Sequence, residues 1–152
     1  EHERARQLAT DAEQLARTIT DPDEQTTALM EVAGAVAAGG DYERAEQLTR
    51  TITNPFGQAW ALAKVAGPVA AGGEHEWAEQ LARTITDPHA QAQALTEVAR
   101  EVGLPRAGHL LAKAFALGSW LTPLLSLAEL YPREVIRFVD AVYRDERSRD
   151  IP

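Results

Sequence analysis

Apolar residues recur along this chain in a helical rhythm that resets every 33 residues. Ala28, Leu29, Val32, Ala33 and Val36 share one face of a helix. Tyr42, Ala45, Leu48 and Ile52 form a second stripe after Gly39-Gly40. The first stripe returns at Leu62, Val65, Ala66 and Val69, and again at Leu95, Val98, Ala99 and Val102. Val, Ile and Thr dominate no alternating run of the kind a half-buried strand would show.

The punctuation repeats with the stripes. Asp21-Pro22, Asn54-Pro55 and Asp87-Pro88 each predict a helix start. The Asp or Asn side chain accepts hydrogen bonds from free first-turn amides, and proline tolerates the first helical position. Gly39-Gly40 and Gly72-Gly73 predict stops, because glycine takes the left-handed cap conformation at low cost. Between these signals the segment AEQLARTITDP occurs three times, from Ala12, Ala45 and Ala78, with Thr49 and Asn54 replacing Ala and Asp in the middle copy. A fixed period in this range marks a stacked array of repeats. The pattern predicts an all-α chain of about nine helices, built from 33-residue units of two helices each. Residues 1–20 read as a long N-terminal helix, 21–53, 54–86 and 87–118 as repeats, and 119–152 as a capping helix pair.

The ends depart from the repeat. ARQLATD ahead of AEQLART doubles a heptad, so the first helix is expected to run about two turns beyond its counterparts. EVGLPRAGHL is shorter than the matching stretches, which predicts a connecting loop four residues shorter, turning at Gly103 and Pro105. A last helix is expected over 132–146, starting at Pro132, with Phe138 and Val142 covering the end of the core. The chain also opens inside a unit, since EHERARQL matches EHEWAEQL at 74–81, which points to a piece of a longer protein.

Charge narrows the partners. A net charge of −8 argues against a phosphate-binding surface and so against nucleic acid. No apolar stretch approaches the roughly 20 residues of a membrane span. The absence of cysteine excludes a disulfide framework and fits a cytoplasmic chain. Lys64 and Lys113 are the only lysines; arginine in their place, with the alanine excess, fits a GC-rich bacterial genome. Glu13–Arg17, Glu46–Arg50 and Glu79–Arg83 are spaced as helix-surface ion pairs, expected on a solvated face.

These offsets resemble the tetratricopeptide repeat. The residues that carry the likeness are Leu29, Val32, Ala33 and Val36, then Gly40-Asp41-Tyr42 before Ala45 and a following proline. It covers roughly 12–120, with leucine where the family usually has a large aromatic; another kind of α-solenoid is the alternative. The resemblance implies a right-handed α-solenoid of antiparallel helix pairs that binds a protein or peptide in a concave groove lined by the first helices. The wording of the repeat is also similar to tracts in large actinobacterial signalling proteins, which implies a sensor or scaffold arm.

Carried onto this sequence, the groove stripe holds Thr27, Met30 and Gly34, then Trp60, Ala63 and Gly67, then Gln93, Thr96 and Arg100, with Lys64 beside them. Specificity is expected where the copies disagree. Trp60 replaces Thr27 and Gln93, and Arg100 stands where the other units have glycine. An aromatic and a guanidinium on one face suit an apolar anchor and a carboxylate of a peptide. The competing reading packs Trp60 against a neighbouring unit and pairs Arg100 with Glu97. Pro68, inside the helical pattern, predicts a kink or break near Lys64–Gly67.

Catalytic chemistry is not legible. His2, His75, His89 and His109 have no metal-ligand spacing. The glycine pairs lack the lysine and threonine of a phosphate loop. Ser119 and Ser126 have no placed histidine. The sequence implies no cofactor and points away from an enzyme. The alternative to a binding module is self-association through exposed repeat edges.

Overall fold

The structure, a computed structural model, describes residues 2–103, 105–118, 121–130 and 132–133. These form eight helices and, among the described residues, no strand. They are α1 (His2–Thr18), α2 (Pro22–Ala38), α3 (Tyr42–Thr51), α4 (Pro55–Ala71), α5 (His75–Thr84), α6 (Pro88–Glu101), α7 (Arg106–Ala116) and α8 (Leu121–Leu130). Apart from Pro132 and Arg133, the expected last helix, with Phe138 and Val142, lies outside the described residues. Among the described residues no helix is long and apolar enough to cross a membrane.

Local chemistry sets the boundaries. Asp21 Oδ1 accepts from the amides of Asp23 and Glu24 at 3.0 and 2.9 Å. Asn54 Oδ1 accepts from Phe56 and Gly57, and Asp87 Oδ1 from Ala90. Each cap is followed by proline at the first helical position. At the other end the two glycines divide the work. Gly39 and Gly72 stay right-handed, while Gly40 and Gly73 turn to φ 86° and 93°. The Gly40 amide then reaches the Ala37 carbonyl and the Asp41 amide the Val36 carbonyl, the paired bonds of a Schellman cap; Gly73 and Glu74 repeat them. Gly72 also makes room for Tyr42, whose hydroxyl would lie 1.8 Å from a Cβ there.

Two expectations are corrected. Helix α4 is not broken near Lys64–Gly67; it runs from Pro55 to Ala71 through Pro68. Pro68 opens the last turn, so it removes a single backbone bond, the one to the Lys64 carbonyl, and Val65, Ala66, Val69 and Ala70 around it are fully buried. The deletion in the third unit is not taken out of the loop. Four residues separate α6 from α7, against three after α2 and α4, while α6 has 14 residues against 17. Lacking the glycine pair, α6 ends where Val102 turns extended.

Helix α2 packs on α4, α4 on α6, and α6 on α8, while α1, α3, α5 and α7 pack on this row. No Cα of α3 lies within 8 Å of α1 or α5, nor any of α5 within 8 Å of α7. Those helices are joined by side chains. Glu13 accepts from Arg44 at 3.0 Å, Glu46 from the indole N–H of Trp77 at 3.0 Å, and Glu79 from Arg106. The three glutamates hold one repeat position and the three donors another, Arg106 being displaced by the four-residue deletion. Each glutamate also takes the arginine one turn on, Arg17, Arg50 or Arg83. Glu79 is buried and Glu13 and Glu46 are partly so, which corrects the expectation of a solvated surface for these three residues. Trp77 further packs edge-on against Tyr42, ring centroids 6.1 Å apart.

A second repeated tie holds each first helix to the C-terminal end of the helix before it. The Gln25 amide donates to the carbonyls of Arg17 and Ile19, Gln58 to Thr49 and Ile52, and Gln91 to Ala82 and Arg83. Carbonyls left over at a helix C-terminus are thereby satisfied.

If the indole–carboxylate bond helps join α3 to α5, Trp77→Phe lowers unfolding stability by about 1–2 kcal/mol. In a Glu46→Ala background the same substitution costs about 1 kcal/mol less. Urea denaturation of the four proteins measures this coupling; additive losses would show that the bond contributes nothing.

Candidate functional site

The first helices carry three versions of one face, and the second version is unlike the others. In the first turn Phe56 stands where α2 has Asp23 and α6 has His89. One turn on, Trp60 stands where they have Thr27 and Gln93. Polar residues at the matching positions show that the scaffold needs no aromatic there. The two rings nonetheless meet, centroids 6.0 Å apart and planes inclined by 58°. Phe56 is 62% exposed, a large cost in apolar surface for a residue that the core does not require.

The rings form part of a pocket of about 620 Å³ across α2, α4 and α6. Thr26, Thr27 and Met30 line it from α2; Phe56, Trp60, Ala63, Lys64, Gly67 and Pro68 from α4; Gln93 and Glu97 from α6. Asp23 and Asn54 complete the end beside the helix N-termini. Gly57 brings α4 close to α2, since a Cβ there would lie 2.2 Å from Thr26 Cγ2. Gly34 leaves space for the Lys64 stem, which would sit 3.1 Å from an added Cβ. The Lys64 ammonium ends on Glu31 at 2.5 Å. That pair is exposed on both sides and so contributes little to stability.

Trp60 is half-buried, and its Nε1 is fully buried without a hydrogen-bond partner among the described residues. An indole N–H can only donate, and leaving it unpaired costs about 1–3 kcal/mol. The ring is therefore held by packing against the core, at the expense of its polar edge.

Of the residues expected in the groove, Thr27, Met30, Trp60, Ala63, Lys64, Gly67 and Gln93 are brought together in this pocket. Three are not: Gly34, which faces the Lys64 stem, Thr96 and Arg100. Thr96 is fully buried, and its hydroxyl donates to the Ala92 carbonyl at 2.8 Å. Arg100 is held by α8, with Nε donating to Ser126 Oγ at 3.1 Å and a terminal nitrogen 3.2 Å from Glu129. Its partner is thus Glu129, not Glu97. Phe56 was not expected at the site, although its disagreement with Asp23 and His89 is the same signal that singles out Trp60.

Acidic groups outnumber basic ones around the pocket. Among the described residues Asp23 and Glu97 line it and Glu31 adjoins it, against Lys64 alone. Among the described residues the lining includes no histidine, serine or cysteine. The arrangement offers an apolar floor, an acidic rim and no nucleophile–base pair.

Because Phe56 is surplus to the fold, Phe56→Asp leaves thermal stability within about 0.5 kcal/mol of the parent, or slightly higher from the carboxylate at the helix N-terminus. Calorimetric melting measures this, and a loss above about 1 kcal/mol would mark Phe56 as a packing residue. Comparison of the chain with protein-family models, with curated proteins and with solved structures finds no match.

Proposed function

We propose that this chain is a peptide-binding helical-repeat module: a tetratricopeptide-like, right-handed solenoid whose α2–α4–α6 face receives a segment of a partner protein. The observation that carries the reading is the Phe56–Trp60 pair over a pocket of about 620 Å³, aromatic only in the unit where the repeat wording breaks. Large aromatic side chains at a surface pocket are the usual anchors of protein recognition. The setting that suits such a module is a sensor or scaffold arm of a larger cytoplasmic bacterial protein, not an enzyme.

A displayed peptide library panned against the chain tests this. Peptides recovered should lose at least tenfold in affinity, about 1.4 kcal/mol, for the Phe56→Ala and Trp60→Ala proteins. Retention of full affinity by both would remove the pocket from the interaction.

Exposed leucines on α1 favour a second reading, self-association. Leu15 is 69% exposed at the position where Leu48 and Leu81 are buried, and Leu8 is 61% exposed one heptad earlier. Light scattering across a concentration series separates the readings. Mass rising with concentration and abolished by Leu15→Glu supports an association edge; a monomer throughout counts against it.

A further inference from the structure

We infer that the occupant of this pocket is a basic segment: a large apolar side chain flanked by lysine or arginine. The inference rests on the peptide-binding reading and fixes the chemistry of the peptide. It reverses the sign that Arg100 suggested.

A peptide carboxylate needs a cation that is not already matched. Both cations of this face, among the described residues, are matched. Lys64 Nζ lies 2.5 Å from Glu31, and Arg100 is engaged by Glu129 and Ser126. With these pairs cancelled, Asp23 and Glu97 remain on the pocket wall. An incoming carboxylate would meet two like charges and would have to share Lys64 with Glu31 or Arg100 with Glu129. An incoming ammonium or guanidinium meets carboxylates directly, and the chain's charge of −8 steers it there.

The aromatic floor works the same way. Phe56 is 62% exposed, and a cation over the face of an aromatic ring is attracted by its quadrupole. The apolar part of the segment fits between Met30, Phe56 and Trp60, leaving its basic neighbours at the rim beside Asp23 and Glu97. Peptides bearing an apolar anchor without flanking charge would use the floor but not the rim.

A peptide array tests the assignment. Each ten-residue peptide has a central phenylalanine, with lysine, glutamate or serine in all combinations at the four neighbouring positions. The labelled chain should bind more strongly with each added lysine and lose the signal when serine replaces the central phenylalanine. Asp23→Asn and Glu97→Gln should each weaken the best peptide about two- to fivefold in low salt, as expected for rim charges.

Signal that rises with glutamate overturns the inference while leaving a peptide-binding pocket in place, provided that it is lost in Phe56→Ala. Lysine peptides that bind the Phe56→Ala protein equally well overturn it differently, by showing attraction to the acidic surface at large. No binding by any peptide, with the panned library also empty, sinks both this inference and the reading beneath it. A dimer of the chain alone that Phe56→Ala dissociates would give the pocket to a second copy and also overturn it.

Discussion

Close approach of α2, α4 and α6 through alanine and glycine is the constraint on which the molecule depends. Ala33 and Ala37 from α2, Ala59, Ala61, Ala63, Ala66 and Ala70 from α4, and Ala90, Ala92, Ala94 and Ala99 from α6 are nearly all solvent-free. Each buries little area, so the hydrophobic gain per residue is small. Stability comes instead from the tight fit of many short side chains, which lose little rotamer entropy on folding. Helix α4 is enclosed on most sides as a result, and this is why Pro68 is tolerated without breaking it. The same tightness leaves no room for bulky groups inside the row. The large residues of the second unit, Phe56 and Trp60, accordingly lie where a pocket opens.

The local features of the fold were legible because their causes are local. An Asp or Asn ahead of proline starts a helix with groups a few residues away, and a glycine pair ends one in the same way. Features that depend on the next unit were not legible. The arginine four residues after each of Glu13, Glu46 and Glu79 could be read, but not that each glutamate also joins the following unit. Its second donor is an arginine, then a tryptophan, then an arginine displaced by a deletion, so no residue type recurs to betray the role. The glutamines at 25, 58 and 91 do recur, yet their bonds to carbonyls of the preceding turn belong to a geometry that spacing alone does not express.

The pocket was half legible for a related reason. Repeat register places Thr27, Trp60 and Gln93 on one face correctly, since register within a helix is fixed by 3.6 residues per turn. It fails where another element covers that face. Arg100 has the right register, but Ser126 and Glu129 reach it from α8, where the repeat wording has faded. Phe56 lies in the capped first turn of α4, one turn ahead of Trp60 and outside the stripe that repeat register carries over. Among near-identical copies the useful question at every position is whether the scaffold has already shown that it can do without that residue.

The glutamate links have a mechanical consequence. Along α2, α4, α6 and α8 neighbouring helices touch directly and resist compression, as any close-packed interior does. Along α1, α3, α5 and α7 the spans are crossed by long side chains ending in polar contacts, which lengthen or rotate at small energetic expense. Bending that spreads the second row while hinging on the first is therefore the soft deformation of the described helices, resisted by three polar joints and the Tyr42–Trp77 contact. Exchanging an arginine for a tryptophan at one joint alters its compliance without touching the alanine seam.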